Sequence, residues 1–444
     1  MKRILALASA VLVAAGVAAY VTWDASADGR EIAWKTCGQK PGAECGSLDV
    51  PRDYADPNAG TVKLNITRRA ATDPDKRVGV LFFNPGGPGQ PAAGYVRDAV
   101  DQTFSKDLQS RFDIIGIDSR GVGGSQQLSC SKPDHDPNVS LFPQSQKEFD
   151  QLVAHNKNMG DSCDDLISNM DTISVAKDFD QVRAALGESK INYLGLSYGT
   201  ILGTAYAERF PHRVRTMSLD GVVDHGMRTS KLILDGSTAL NKSFEAYAKW
   251  CDGSDKCALH GKDFAATFDA LVKSTRDKPI PVPNERPITA EELEFIVNAG
   301  LDSVPEFAEP LSDALKQAVD GDGTKLAAIR TEAENPATSA PYRATLCQDI
   351  DPQLTNFEQL RHLANQAVKR DPHLGGMSEW WSIAAGCIGW PAAPKNPQHA
   401  VHIDDAPPIL LVGNTGDPVT PVSGAESLSH GIEGSEVLTY DGVG

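Results

Sequence analysis

The chain has 444 residues, of which 41% are hydrophobic and 23% charged, with a formal net charge of −17. That composition is ordinary for a globular protein with room for more than one domain. With no basic run to neutralise phosphates, it excludes nucleic acid as a partner.

Lys2 and Arg3 open the chain, Ile4 to Val21 are almost wholly apolar, and Ala25-Ser26-Ala27 follows before Asp28. A charged start, an apolar stretch and a small-residue cleavage site describe an export signal over residues 1–27, with an uncleaved membrane anchor as the alternative. No later apolar run is long enough to span a bilayer, so the mature protein is expected outside the cell, free of the membrane and monomeric. Eight cysteines fit an oxidising compartment: Cys37, Cys45, Cys130, Cys163, Cys251, Cys257, Cys347 and Cys387. Their spacing leaves connectivity open. Sequential pairing (37–45, 130–163, 251–257, 347–387) is the simplest choice. No Cys-x-x-Cys or His-Cys cluster points to zinc, and no cofactor or metal is implied.

Further along, Thr61 to Ala70 alternates like an antiparallel edge strand. Val78 to Phe83 and Phe112 to Asp118 are continuous apolar runs, as in strands buried on both faces. A helical period covers Asp171 to Leu186, a strand Ile191 to Leu196, and a helix Tyr198 to Phe210, which stops at Pro211. Val214 to Leu219 is one more strand. This alternation implies an α/β fold with a mostly parallel sheet. From His225 to His399 helices dominate, the clearest at 265–274, 290–301, 311–319 and 356–368. Strands return only at Pro408 to Gly413 and Glu436 to Tyr440. The expected organisation is a core over 28–224, a helical cap inserted at 225–400, and the rest of the core at 401–444.

Four loops at strand ends carry the chemistry. Gly195-Leu196-Ser197-Tyr198-Gly199 places a serine between a strand and a helix, where small neighbours let a sharp turn close around a nucleophile. Asn84-Pro85-Gly86-Gly87-Pro88-Gly89 follows the Val78–Phe83 strand, where a glycine turn can aim N–H groups at a developing oxyanion. Gly87 is the expected donor there, with the N–H of Tyr198 as the second. Asp118 to Ser125 reads as structural, since Asp118 precedes the nucleophile in the chain. Gly413 to Pro421 brings Asp417 to the end of a late strand, where an acid orients a catalytic histidine.

Together these motifs resemble the secreted tripeptidyl aminopeptidases of actinobacteria, relatives of the prolyl iminopeptidases. The resemblance runs from Cys45-Gly46-Ser47-Leu48-Asp49-Val50-Pro51 onward. It includes Leu219-Asp220-Gly221-Val222-Val223-Asp224 and Cys387-Ile388-Gly389-Trp390. It implies an α/β-hydrolase fold and release of short peptides from free amino termini. It assigns Ser197 as nucleophile, Asp417 as acid, Gly87 and Tyr198 as oxyanion donors, and the helical insertion as a lid.

Two departures stand out. Gln90-Pro91-Ala92 replaces the Gly and Ser that usually continue the oxyanion loop, which is expected to reshape the pocket entrance. The family's catalytic His follows the last strand in a Gly-x-Gly-His turn, whereas the sequence here runs Asp441-Gly442-Val443-Gly444. The expectation is therefore that no catalytic His lies within residues 1–444 and that activity depends on residues beyond them. His225, His399, His402 and His430 are the possible substitutes. Glu291, Glu292, Glu294, Glu306 and Glu309 are candidates to hold a substrate ammonium, against the plainer reading of a solvated acidic face. The alternatives to a peptidase are a secreted carboxylesterase or amidase, which shares every catalytic part, and a pseudo-hydrolase that only binds peptides or lipids.

Overall fold

The computed structural model describes residues 31–38, 41–56, 58–302, 307–333 and 335–443. The export signal over 1–27 lies outside them. No helix of the described residues is long and apolar enough to cross a membrane.

Strands β1 (Lys35–Thr36), β2 (Ala43–Pro51) and β3 (Thr61–Arg69) open the chain, followed by β4 (Gly79–Asn84). Helices α1 (Ala92–Asp98), α2 (Val100–Thr103) and α3 (Lys106–Arg111) lead to β5 (Phe112–Ile117). After α4 (Gln146–Gly160) and α5 (Thr172–Ala185) come β6 (Ile191–Leu196), α6 (Tyr198–Arg209) and β7 (Val214–Asp220). The helical segment then holds α7 (Thr229–Gly253), α8 (Phe264–Asp277), α9 (Ala290–Asp302), α10 (Ala308–Val319), α11 (Thr324–Ala333), α12 (Pro336–Asp349), α13 (Phe357–Arg370) and α14 (Glu379–Cys387). Strand β8 (Ile409–Gly416), α15 (Ser423–Ser429) and β9 (Glu436–Val443) close the described chain.

The nine strands form one sheet in the order β1-β2-β3-β5-β4-β6-β7-β8-β9. From β5 to β9 all pairings are parallel; β1, β2 and β3 run antiparallel. Strand β3 therefore lies inside the sheet, between β2 and β5, and not at its edge. Its alternation reflects antiparallel pairing, which interior and edge strands share. From β4 the chain crosses to β5 on one side and later to β6 on the other. That reversal opens a crevice at the carboxyl ends of β4 and β6, the general place for a site in open α/β sheets.

One face of the sheet is covered by α1 to α3, with Leu81, Phe83, Val96, Phe104 and Ile114 packed together. The other holds the main core, which includes Phe82, Ile115, Phe179 and Leu219. The helical segment divides between two cores. Residues of α12 to α14 (Ala344, Leu360, Trp380, Trp381) belong to the main core. Helices α8 to α11 and the far end of α7 form a separate one around Phe244, Phe264, Phe268, Leu293 and Leu311. The four disulfides join the cysteines in sequential pairs, and Cys347–Cys387 ties α12 to α14.

Candidate active site

Ser197 stands between β6 and α6 with φ 54° and ψ −121°, a conformation that non-glycine residues rarely adopt and that marks functional turns. The turn closes because two glycines meet across it. A β-carbon on Gly195 would lie 2.3 Å from the Gly199 carbonyl oxygen, and one on Gly199 would lie 2.8 Å from the Asn84 carbonyl oxygen. The Ser197 N–H donates to the Asp220 carbonyl of β7 (2.8 Å), and its own carbonyl accepts from the Thr200 N–H and hydroxyl. The backbone is thus held from both sides while the side chain stays partly exposed.

The loop after β4 comes directly against this turn. A β-carbon on Gly86 would sit 2.9 Å from Ser197 Cβ and 3.4 Å from the Tyr198 nitrogen. Gly86 donates its N–H to Asn84 Oδ1 (3.0 Å), and Gly87 follows with φ 100°. Tyr198 is the first residue of α6, where a backbone N–H has no intrahelical acceptor. Pro91 caps α1 where Gly and Ser were expected, and Ala92 and Ala93 of its first turn are buried.

Asp417 lies buried just past β8. Its Oδ1 accepts from the Val419 N–H (2.8 Å) and the Thr420 N–H (2.7 Å), and its Oδ2 accepts from Thr420 Oγ1 (2.7 Å). Gly221 connects this turn to the nucleophile: its β-carbon position lies 2.9 Å from Thr420 Oγ1 and 3.6 Å from the Ser197 nitrogen. Burial, together with the Asp417 charge, raises the carboxyl of neighbouring Asp220. Sequence reasoning singled out Asp417 but not Thr420. Part of its signal was present, since an Asp in a turn commonly accepts from the backbone N–H two residues on and so curls the following residues around its carboxylate.

The histidines considered as substitutes for the base are engaged elsewhere. His225 is buried, its Nε2–H donates to the Asp349 carbonyl (2.8 Å), and burial pushes it down to about 4. His399 faces Glu208, His402 faces Asp404, and His430 lies exposed with Nδ1 near the Ser427 carbonyl. Among the described residues, no histidine is hydrogen-bonded to Ser197 or Asp417.

The other polar motifs hold structure. Asp118 accepts from the Ala93 and Gly124 N–H groups and from Asn65 Nδ2. Arg120 is fully buried and paired through two nitrogens with Asp178.

The acidic candidates fall into place differently from a solvated face. Glu306 lies outside the described residues, and exposed Glu309 pairs with Lys256. Glu292 is buried and paired with Arg286 and His135. Glu294, also buried, pairs with Arg276, and burial raises it to about 7. Glu291 accepts from the Ser140 hydroxyl (2.6 Å) and the Leu141 N–H (2.7 Å) of the loop before α4. The reason is packing: α9 is contacted by α7, α8, α10 and α11, which leaves only Ala299 of its described residues exposed. Glu291 and Glu292 also line a cavity of about 380 Å³ together with Asp134, His135, His155 and Arg343. Helix α12 stands between this cavity, which Ser339 and Arg343 line, and the loop of Gly89, which meets Thr338 and Tyr342.

A nucleophile turn after β6, a glycine loop after β4 and an acid turn after β8, all at one end of a mostly parallel sheet, define a hydrolase of the α/β type. The family model for the alpha/beta hydrolase fold matches residues 79–444, and the chain belongs to that family. It is 31% identical to serine protease Hip1 of Mycobacterium tuberculosis, over 94% of this chain and 85% of that protein. It is 28% identical to the tripeptidyl aminopeptidase of Streptomyces lividans, over 95% of this chain and 84% of that one. Carboxylesterase B of Mycobacterium tuberculosis is 29% identical over 90% of this chain and 80% of its own length.

Proposed function

We propose that this protein is an exported serine peptidase that removes short peptides from substrates with a free amino terminus, through an acyl-enzyme on Ser197. The observation that carries this reading is the Ser197 turn, held in a left-handed backbone conformation against Gly86, with the Asp417–Thr420 turn across Gly221. The names of the relatives, serine protease and tripeptidyl aminopeptidase, support the peptidase reading. Four disulfides fit an oxidising compartment, as does a signal at residues 1–27.

Ser197 Oγ attacks the scissile carbonyl. The oxygen that becomes negative lies between the N–H groups of Gly87 and Tyr198, each of which is worth roughly 3 kcal/mol to the transition state. The C–N bond then breaks, the amine leaves with a proton, and water releases the peptide from the serine ester. Asp417 orients the histidine that takes and returns the proton. Three donors hold the Asp417 carboxylate still for that role. In this reading residues 28–224 and 401–444 form the core, and residues 225–400 the cap.

The test compares three substrates on the protein expressed from its own gene: a free tripeptide anilide, the same anilide acetylated, and a short acyl ester. Cleavage of the free anilide at least tenfold faster than its acetylated form supports the exopeptidase. Preference for the ester regardless of any amine makes it an esterase. Ligand binding with no turnover of the three makes it a pseudo-hydrolase.

A further inference from the structure

The reading above leaves unused a buried carboxylate, Asp349, at the end of α12. Its side chain is fully buried, far from any solvent that could satisfy it. Three donors converge on it from two separate parts of the chain, Thr172 and Asn396. Oδ1 accepts from the Thr172 N–H (3.0 Å) and Asn396 Nδ2 (3.0 Å), and Oδ2 accepts from Thr172 Oγ1 (2.5 Å). With Asp349 ionised, the Thr172 hydroxyl gives its hydrogen to that carboxylate and then accepts from its other neighbour, Tyr198 Oη, at 2.5 Å. The chain of donors is therefore directional, from Tyr198 through Thr172 to Asp349, and every member is buried. Such a chain is stiffer and stronger in a low-dielectric interior than at the surface. Tyr198 is the residue whose backbone N–H faces the oxyanion.

The opposite end of the same helix touches the other donor loop. A β-carbon on Gly89 would begin 2.9 Å from the Thr338 carbonyl oxygen and 3.6 Å from the Tyr342 nitrogen. Tyr342 in turn gives its hydroxyl hydrogen to Glu379 of α14, and Cys347–Cys387 staples the two helices beside Asp349. Helix α12 thus spans the glycine loop after β4 and the helix that starts at the nucleophile.

We propose that Asp349 is a positioning residue: through Thr172 and Tyr198 it fixes the separation of the two oxyanion donors, so that this helix of the insertion sets the geometry of the oxyanion hole. The inference rests on Ser197 being the nucleophile.

The test is the labelling of Ser197, in the protein expressed from its own gene, by a fluorophosphonate, whose phosphoryl oxygen takes the oxyanion's place. The maximal labelling rate and the half-saturating concentration are measured separately, for wild type and for Thr172→Val, Tyr198→Phe and Asp349→Asn. Thr172→Val and Tyr198→Phe keep the packing and remove one link each. The amide of Asp349→Asn either points its NH2 at the Thr172 N–H and Asn396 or turns it to the Thr172 hydroxyl and reverses the chain. Each variant is expected to lower the maximal rate about tenfold, a part of the roughly 100-fold or more that a whole oxyanion donor is worth. The half-saturating concentration is expected to stay within twofold and the melting temperature of the first two variants within a few degrees. Thr172→Val combined with Asp349→Asn is expected to cost no more than either alone, since both break one chain. Wild-type rates in Thr172→Val and Tyr198→Phe overturn the proposal. So does a loss of rate that follows melting temperature and half-saturation together, as a structural role requires. Absence of labelling in wild type refutes the nucleophile itself, an outcome distinct from both.

Discussion

The helices between β7 and β8 divide into two regions that relate to the site in opposite ways. Helices α8 to α11 gather around Phe244, Phe264 and Phe268, with a core of their own. Helices α12 to α14 share the core of the sheet and reach its catalytic loops. Thr338 and Tyr342 meet Gly89, Asp349 meets Thr172, and Trp380 Nε1 donates to the Val419 carbonyl (2.9 Å) inside the Asp417 turn. The first region makes none of these contacts. The second frames the candidate site. The contacts of an inserted helical segment, not its helical content, therefore tell which part supports a site.

The largest contrast is expected from Trp380→Ala. It opens a cavity in the main core and frees the Val419 carbonyl, so it should cost about 3–5 kcal/mol of stability. It should also slow labelling of Ser197 about tenfold or more at temperatures where the protein is still folded. Phe268→Ala removes a similar buried ring from the other core. It should destabilise by about 3–4 kcal/mol yet leave the labelling rate of the folded protein within twofold. Equal labelling losses in the two variants, read by intact mass at 20 °C, would erase the distinction.

A smaller effect is expected at the acid turn. Thr420→Val takes one donor from Asp417 Oδ2 and should cost about 1–2 kcal/mol, seen as a several-fold drop in turnover with unchanged KM. A loss confined to KM would move Thr420 out of the acid's support. The smallest effect concerns pH. Burial raises Glu294 to about 7 in the outer region, Asp349 to about 7 in the inner one, and Asp371 to about 6. A carboxyl raised on folding binds its proton more tightly in the folded state, so its contribution is present below the unfolded pKa and lost as pH rises through the folded value. Depressed His225 acts in the opposite sense, losing stability as pH falls from about 6.5 toward 4. The three carboxyls together should outweigh it, so melting temperature should fall between pH 5 and pH 8. Glu294→Gln should flatten that slope while Ser197 labelling at fixed pH stays the same. A melting temperature that rises over this range would reverse the assignment.

Much of the candidate site was legible in the sequence because each of its loops is a local event. Ser197 needs Gly195 and Gly199 beside it, the glycine loop follows an apolar run, and Asp417 follows another; strand-end chemistry is written within a few residues of itself. The acidic helix was harder. Glu291, Glu292 and Glu294 follow one another on α9 as a solvated face would, and only the helices packed around α9 turn them inward. The support from α12 to α14 was invisible, since Asp349 meets Thr172 and Trp380 meets Val419 across long stretches of chain. Pairings of that kind are set by tertiary packing, for which no spacing rule exists. The same holds for β3, whose alternation fits an edge and an interior antiparallel strand equally well.

The central claim, that Ser197 is the nucleophile of an oxyanion-stabilised site, is tested most directly by incubating the protein expressed from its own gene with a fluorophosphonate and sequencing the labelled peptide by mass spectrometry. The expected result is a single adduct on Ser197, absent from Ser197→Ala and formed more slowly by Asp417→Asn. No adduct, or an adduct on another residue that persists in Ser197→Ala, would contradict it.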